Sequence, residues 1–186
     1  FFSLILIAIA CIIMGAGIPT TATYIILVAV AAPALSLMGV EPLVSHFFVF
    51  YYGVLADITP PVALAAYAAA GISGSNPFKT GNTAFRLGIA KALVPFVFVY
   101  SPALLLVADG FSWYTFTVTF AGALCGIGLI GAAFTGYLFK TMPNWARWYT
   151  GIVSLLFIAP GLNTMVIGIL LLTPIGLQQF SLNKNS

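Results

Sequence analysis

The chain has 186 residues, 62% of them hydrophobic, and only 5% are charged: six Lys/Arg against three Asp/Glu, a net charge of +3. Ordinary soluble domains carry about 25% charged residues, so with a mean hydropathy of +1.15 a water-soluble surface is excluded and an all-α integral membrane protein is expected. The positive balance forms no basic patch interleaved with aromatics, which excludes nucleic-acid recognition.

Cys11 and Cys125 each sit in an apolar run and in no CxxC pair. They are expected to be packing residues, and zinc or redox chemistry has no footing. The sequence starts at Phe1, inside a hydrophobic run and without a basic leader. That is expected of the C-terminal part of a longer polypeptide rather than of a cleavable signal peptide.

Residues 3–37 read as two apolar arms around GAGIPTTAT. Each arm has about 14 residues, or ~21 Å of helix, whereas a bilayer core of ~30 Å needs about 20. One long broken span is conceivable. A re-entrant hairpin with its tip at Gly15, Gly17, Pro19, Thr20 and Thr21 fits the length better. Residues 42–71 then form a membrane-length helix interrupted by Asp57-Ile58-Thr59-Pro60-Pro61. Two successive prolines remove two backbone donors and clash with the preceding turn. In hydrocarbon such a break persists only where protein, water or a ligand satisfies the freed groups.

The one long polar stretch, residues 73–91, follows as a basic loop carrying Lys79, Arg86 and Lys91, with Asn76-Pro77 resembling a helix start. A short span is expected over 92–108, with Pro95 and Pro102 inside it and Asp109-Gly110 ending it. Trp113 and Tyr114 mark an interface. Residues 114–139 form another span, whose Gly122, Gly126, Gly128 and Gly131 are expected to let helices approach closely. A basic, aromatic turn over 140–148 comes next. Residues 149–180 divide at Pro160-Gly161-Leu162-Asn163 into two arms, a tight hairpin or one tilted span, and an exposed tail holds Lys184.

All six basic residues fall on one side if 42–71, 92–108 and 114–139 each cross once and the final pair returns. By the positive-inside rule that side is cytoplasmic. Glu41, Asp109 and the opening of the first hairpin then face the other side.

No HExxH, GxSxG, P-loop or CxxC is present, so catalysis has no candidate residues. His46 lies eleven residues before Asp57, ~16 Å along a straight helix, too far for a relay. It is expected to be hydrogen-bonded structurally. The chemistry therefore rests with the two breaks. Helix C-terminal ends expose carbonyls suited to Na+, and N-terminal ends expose amides suited to a carboxylate. Glycine admits close approach and threonine adds a hydroxyl. The plainer reading makes each break a kink, with Thr bonding back to its own helix and the chain a non-transporting scaffold or assembly subunit. Asp57 has two readings, a cap on the second half-helix or a cation ligand.

GIPTTATYI, APALSLMGVEPLVSHFFVFYYG, ITPPVALAAYAAAGI and RLGIAKALVPFVFVYSPALLL together resemble the large permease subunit of the TRAP (tripartite ATP-independent periplasmic) transporters. The likeness is to the type in which small and large membrane subunits are fused. It covers residues 1–108, and 109–186 resembles, more weakly, the C-terminal membrane extension of those fused permeases. The resemblance implies an elevator-type secondary transporter, of which this is the second inverted repeat: a re-entrant hairpin followed by a discontinuous transmembrane helix. It implies organic-acid uptake by sodium symport across the inner membrane, with no cofactor beyond the coupling Na+. The implied partners are a periplasmic substrate-binding protein of the TAXI type, the first repeat and the small-subunit helices. By motif, Gly15, Gly17, Pro19 and Thr20 at the tip and Ile58, Thr59, Pro60 and Pro61 at the break would line the Na+ and substrate sites, with backbone carbonyls near Gly17 and Ile58 as the Na+ ligands.

Overall fold

The computed structural model describes residues 1–106, 111–159 and 161–181. Asp109-Gly110, Pro160 and Lys184, to which the sequence assigns a span end, a turn and a tail, lie outside the described residues. The described chain is helical, with one isolated antiparallel bridge between Tyr137 and Thr141. It forms two compact units, Phe1–Val99 and Tyr100–Ser186.

In the first unit, α1 (Phe2–Gly15) and α2 (Thr20–Leu37) pack on each other and on α3 (Pro42–Ala56). Both arms are apolar all round, as expected of helices that face lipid. Their inward stripes are set by spacing: Leu4, Ala8, Cys11 and Gly15 on α1, and Thr23, Leu27, Ala31 and Leu35 on α2. These close on Phe48, Val49 and Tyr52 of α3. The second arm differs from the expected length. It has 18 residues and is long and apolar enough to cross a membrane, whereas the 14-residue α1 is not. The reason is local: Pro19 holds the extended entry geometry (φ −55°, ψ 140°), and Thr20 and Thr21 already lie in the first turn.

Beyond α3 the chain breaks over residues 57–63 and resumes as α4 (Leu64–Ser73), giving half-helices of 15 and 10 residues. Gly74 ends α4 at φ 69°. The stretch expected as a basic loop is instead mostly helix. Asn76 caps α5 (Pro77–Gly88) by accepting a hydrogen bond from the Lys79 amide at 3.1 Å. A 3-10 segment (Ile89–Leu93) then leads into α6 (Val94–Tyr100), and Pro77–Tyr100 as a whole is long and apolar enough to cross a membrane. The Asn-Pro start opens this helix, and packing on α4, with Tyr67 against Gly81 and Phe78, supports it through a polar sequence. The expected helix over 92–108 also stops early. Pro102 disfavours the helical region for the residue before it, Ser101 lies outside that region (φ −144°, ψ 73°), and Pro102–Leu105 is a 3-10 turn.

The second unit is built on α7 (Trp113–Thr135), α8 (Asn144–Ile158) and α9 (Leu162–Ser181). α8 packs against both others, so the last two arms form a hairpin rather than one tilted span. Tyr149 donates to the Leu171 carbonyl at 2.8 Å across it. The glycines of α7 divide by role. A Cβ on Gly122 would stand 2.6 Å from the Phe157 carbonyl oxygen, and one on Gly126 would stand 2.6 Å from Ile158 Cγ1, whereas Gly128 and Gly131 have nothing within 4 Å. Among the described residues only the first pair is needed for close approach.

Gly122→Ala should therefore lose about 1–3 kcal/mol by overpacking, because its obstacle is backbone rather than a movable side chain. Gly128→Ala should be neutral or slightly stabilising. Thermal unfolding of the purified permease in detergent separates them; equal midpoints for the two variants would sink this account of the α7–α8 contact.

Candidate functional site

The break after α3 starts as a tightened turn. The amides of Asp57, Ile58 and Thr59 bond to the carbonyls of Val54, Leu55 and Ala56. The prolines then deny the chain its next two donors, and the Pro60-Pro61 peptide is cis. Ala63 takes the left-handed conformation at φ 35° while fully buried. Several bonds hold this segment in place. The Ala65 amide returns to the Asp57 carbonyl and the Ala63 amide to the Thr59 carbonyl, each at 3.1 Å. Tyr67 donates to the Pro61 carbonyl at 2.7 Å. Gly88 clears room for Ile58, whose Cδ1 would lie 2.3 Å from a Cβ there.

The hairpin tip is built with similar economy. Gly17 takes φ +84°, which a side chain would strain, and the Ile18 amide closes on the Gly15 carbonyl at 3.4 Å. Thr23 donates to the Ile18 carbonyl at 3.0 Å. A Cβ on Gly15 would stand 2.9 Å from Thr23 Cγ2 and 3.0 Å from Ala56 Cβ. Glycine at 15 thus lets the end of α1 reach the end of α3.

The two breaks meet. Thr20 Oγ1 donates to Asp57 Oδ2 at 2.9 Å, across 37 residues of sequence. Val62 Cγ1 lies 3.4 Å from where a Cβ of Gly17 would be. Asp57, Ile58, Thr59, Pro60 and Thr20 are half-buried, whereas Gly17, Pro19, Thr21 and Pro61 are exposed. Thr21 is the outlier of the sequence-derived set, because it lies on the exposed face of α2 and forms no bond across the junction. Thr59 donates to the Leu55 carbonyl at 2.7 Å, so its hydroxyl proton is spent on its own helix, as the kink reading expects.

The Asp57 side chain does not cap α4. That helix has no side-chain cap, and the carboxylate faces the hairpin instead. No Lys, Arg or His among the described residues pairs with it, and no cluster of three or more His, Cys, Asp or Glu exists among them. The Gly17 and Ile58 carbonyls accept no hydrogen bond from the described residues. The Asp57 carboxylate and the Thr20 hydroxyl meet here, and carboxylate, hydroxyl and free carbonyl oxygens are ligand types that hard cations take.

Sequence reasoning missed three supporting residues. Thr23 is buried between the tip and Gly53. Tyr67 and Tyr52 tie down the break and the segment behind it; Tyr52 donates to the Ala92 carbonyl. Thr23 stands i+3 from Thr20, a spacing that places both on one helix face; the two tyrosines carry no comparable signal. His46 bonds to the Tyr24 hydroxyl at 2.7 Å, a structural link between α2 and α3.

A family model described as "Tripartite ATP-independent periplasmic transporter, DctM component" matches residues 1–112, well over half of the chain and the whole of the unit that holds both breaks. Comparison with curated proteins and with solved structures returned no match. The chain therefore belongs to the DctM family of TRAP transporter large permease components, which are transporter permeases and not enzymes, housed as multi-pass proteins in the inner membrane and working with a periplasmic binding protein and the other permease parts.

Proposed function

We propose that the junction of the hairpin tip and the helix break is part of a site that binds Na+ together with the carboxylate of an organic acid, delivered by a TAXI-type binding protein and carried inward by an elevator movement of the repeat. The observation that carries this reading is the Thr20–Asp57 hydrogen bond at 2.9 Å. It puts an acid, a hydroxyl and two helix breaks at one place, where a pair of independent kinks would have no reason to meet. The ends of α1 and α3 offer carbonyls to a cation, and the starts of α2 and α4 offer amides to an anion. Asp57 and a substrate carboxylate repel each other unless a cation lies between them, so Na+ binding and substrate binding favour one another.

In proteoliposomes holding the intact permease and its binding protein, Thr20→Ala should weaken Na+-dependent uptake at low sodium about tenfold, the cost of a hydrogen bond to a charged group. Asp57→Asn should reduce it at least as far and flatten the sodium dependence. Thr59→Ala should have a smaller effect of about twofold to fivefold, because its hydroxyl bonds to its own helix. Uptake and sodium dependence unchanged in both Thr20→Ala and Asp57→Asn would remove the site.

The same reading places the basic segments 73–91 and 140–148 on the cytoplasmic side and Glu41 on the periplasmic side. Cysteines introduced as Lys79→Cys and Glu41→Cys should react with an impermeant thiol reagent from opposite faces of right-side-out vesicles. Labelling of both from outside would overturn the orientation.

A further inference from the structure

Between α7 and α8 the second unit carries an open groove of about 530 Å³. Its walls are apolar, formed by Ile130 and Phe134 of α7 and by Gly151, Ile152 and Leu155 of α8. One end is cationic. Arg147 lines the groove there and donates from Nε to the Ala133 carbonyl at 2.9 Å and from Nη2 to the Phe134 carbonyl at 2.8 Å.

Those two bonds close the C-terminal end of α7 and hold the guanidinium still. Gly136, at φ +75°, supports this placement, since a Cβ there would stand 3.2 Å from Arg147 Nε. A guanidinium has five N–H donors, so three remain, with no acceptor among the described residues. The described part of this unit contains two cations, Lys140 and Arg147, and no carboxylate. Trp145 and Trp148 beside the groove are 57% and 77% exposed, the placement of interfacial tryptophans at headgroup depth.

We propose that this groove is a binding site for an anionic phospholipid, with the headgroup phosphate on Arg147 and an acyl chain lying along Ile130, Gly151, Ile152 and Leu155. The dimensions agree: from Asn144 to Leu155 the groove wall follows α8 for ~16 Å, and one leaflet of hydrocarbon is ~15 Å deep. Phosphate oxygens match the planar fork of the guanidinium and its unspent donors. A neighbouring transmembrane helix would match them poorly, because its backbone carbonyls are consumed within the helix. Gly151 keeps the floor open. A Cβ there would only touch Ala133 Cβ at 3.7 Å, so any longer side chain must project into the lipid's place.

The test is lipid retention by the intact permease, read by native mass spectrometry after exchange into micelles with equal phosphatidylglycerol and phosphatidylcholine. The wild type should keep phosphatidylglycerol in preference. Arg147→Gln should lower that retention about five- to tenfold, and Arg147→Lys should restore part of it. Arg147→Gln also removes the closure of α7, so Gly151→Leu serves as the independent variant: it should lose the bound lipid while the unfolding midpoint holds. Three outcomes would overturn the proposal: equal retention of both lipids by the wild type, retention unchanged in Gly151→Leu, or a dimer that Gly151→Leu dissociates. Displacement of the lipid by millimolar inorganic phosphate would also overturn it, by making the site one for a free anion.

Discussion

Hydrocarbon offers a backbone N–H or C=O no water, so a helix interrupted inside a membrane must hand its freed groups to something else. In the first unit each interruption closes most of its freed groups locally, the Gly17 and Ile58 carbonyls stay open among the described residues, and the two interruptions lie against each other. The end of α1 reaches the end of α3 because Gly15 and Gly53 leave room around Thr23. Thr20 meets Asp57, and Tyr67 returns from α4 to take up the Pro61 carbonyl. The Phe48–Tyr52 core beneath fixes the distance at which these ends face each other. Remove the close approach at Gly15 and neither turn keeps its partner.

The second unit solves a simpler problem with the same means. Its helices are continuous; Pro174 lies inside α9, where Thr173 donates to the Leu170 carbonyl, and the remaining task is to close the ends. Gly136 and the Ala132 carbonyl finish α7 from within, with the Gly136 amide bonding at 2.8 Å, and Arg147 finishes it from outside. Glycine here serves packing: Gly122 and Gly126 bring α8 onto α7. A charged residue used as a helix closure in hydrocarbon must sit near the headgroups, which ties the register of α7 and α8 to the membrane surface.

The sequence was informative where a residue type has one physical use. Pro60-Pro61 stops a helix wherever it occurs, and α3 ends at Ala56. The Gly-Pro-Thr cluster after Met14 could not remain helical, and α1 ends at Gly15. Composition alone indicated helices facing lipid. It was less informative where two signals compete. Polarity over 73–91 argued for a loop, but the Asn76-Pro77 cap and the packing of α5 on α4 prevailed despite Gly81 and Asn82. Apolarity over 92–108 argued for helix, but the restriction Pro102 places on Ser101 prevailed. The resemblance put tip and break at common sites, but the specific meeting of Thr20 with Asp57 was not readable. A pairing across 37 residues depends on how α2 and α3 align, and apolar, uniform helix faces carry little register information.

The position of Asp57 bears on coupling in the proposed site. A carboxylate has about four acceptor positions, and Thr20 fills one of them. No basic side chain among the described residues pairs with the carboxylate. A second carboxylate brought to ~5 Å from it would be repelled by about 3 kcal/mol at an effective dielectric constant of ~20. A cation held between them reverses the sign of that term. In the proposed site a sodium ion would therefore favour the substrate, and the substrate would raise the affinity for sodium by the same free energy. A helix break without an acid could bind either ion alone. In the proposed site the acid would make the two bindings interdependent, and with them the uptake of one on the gradient of the other.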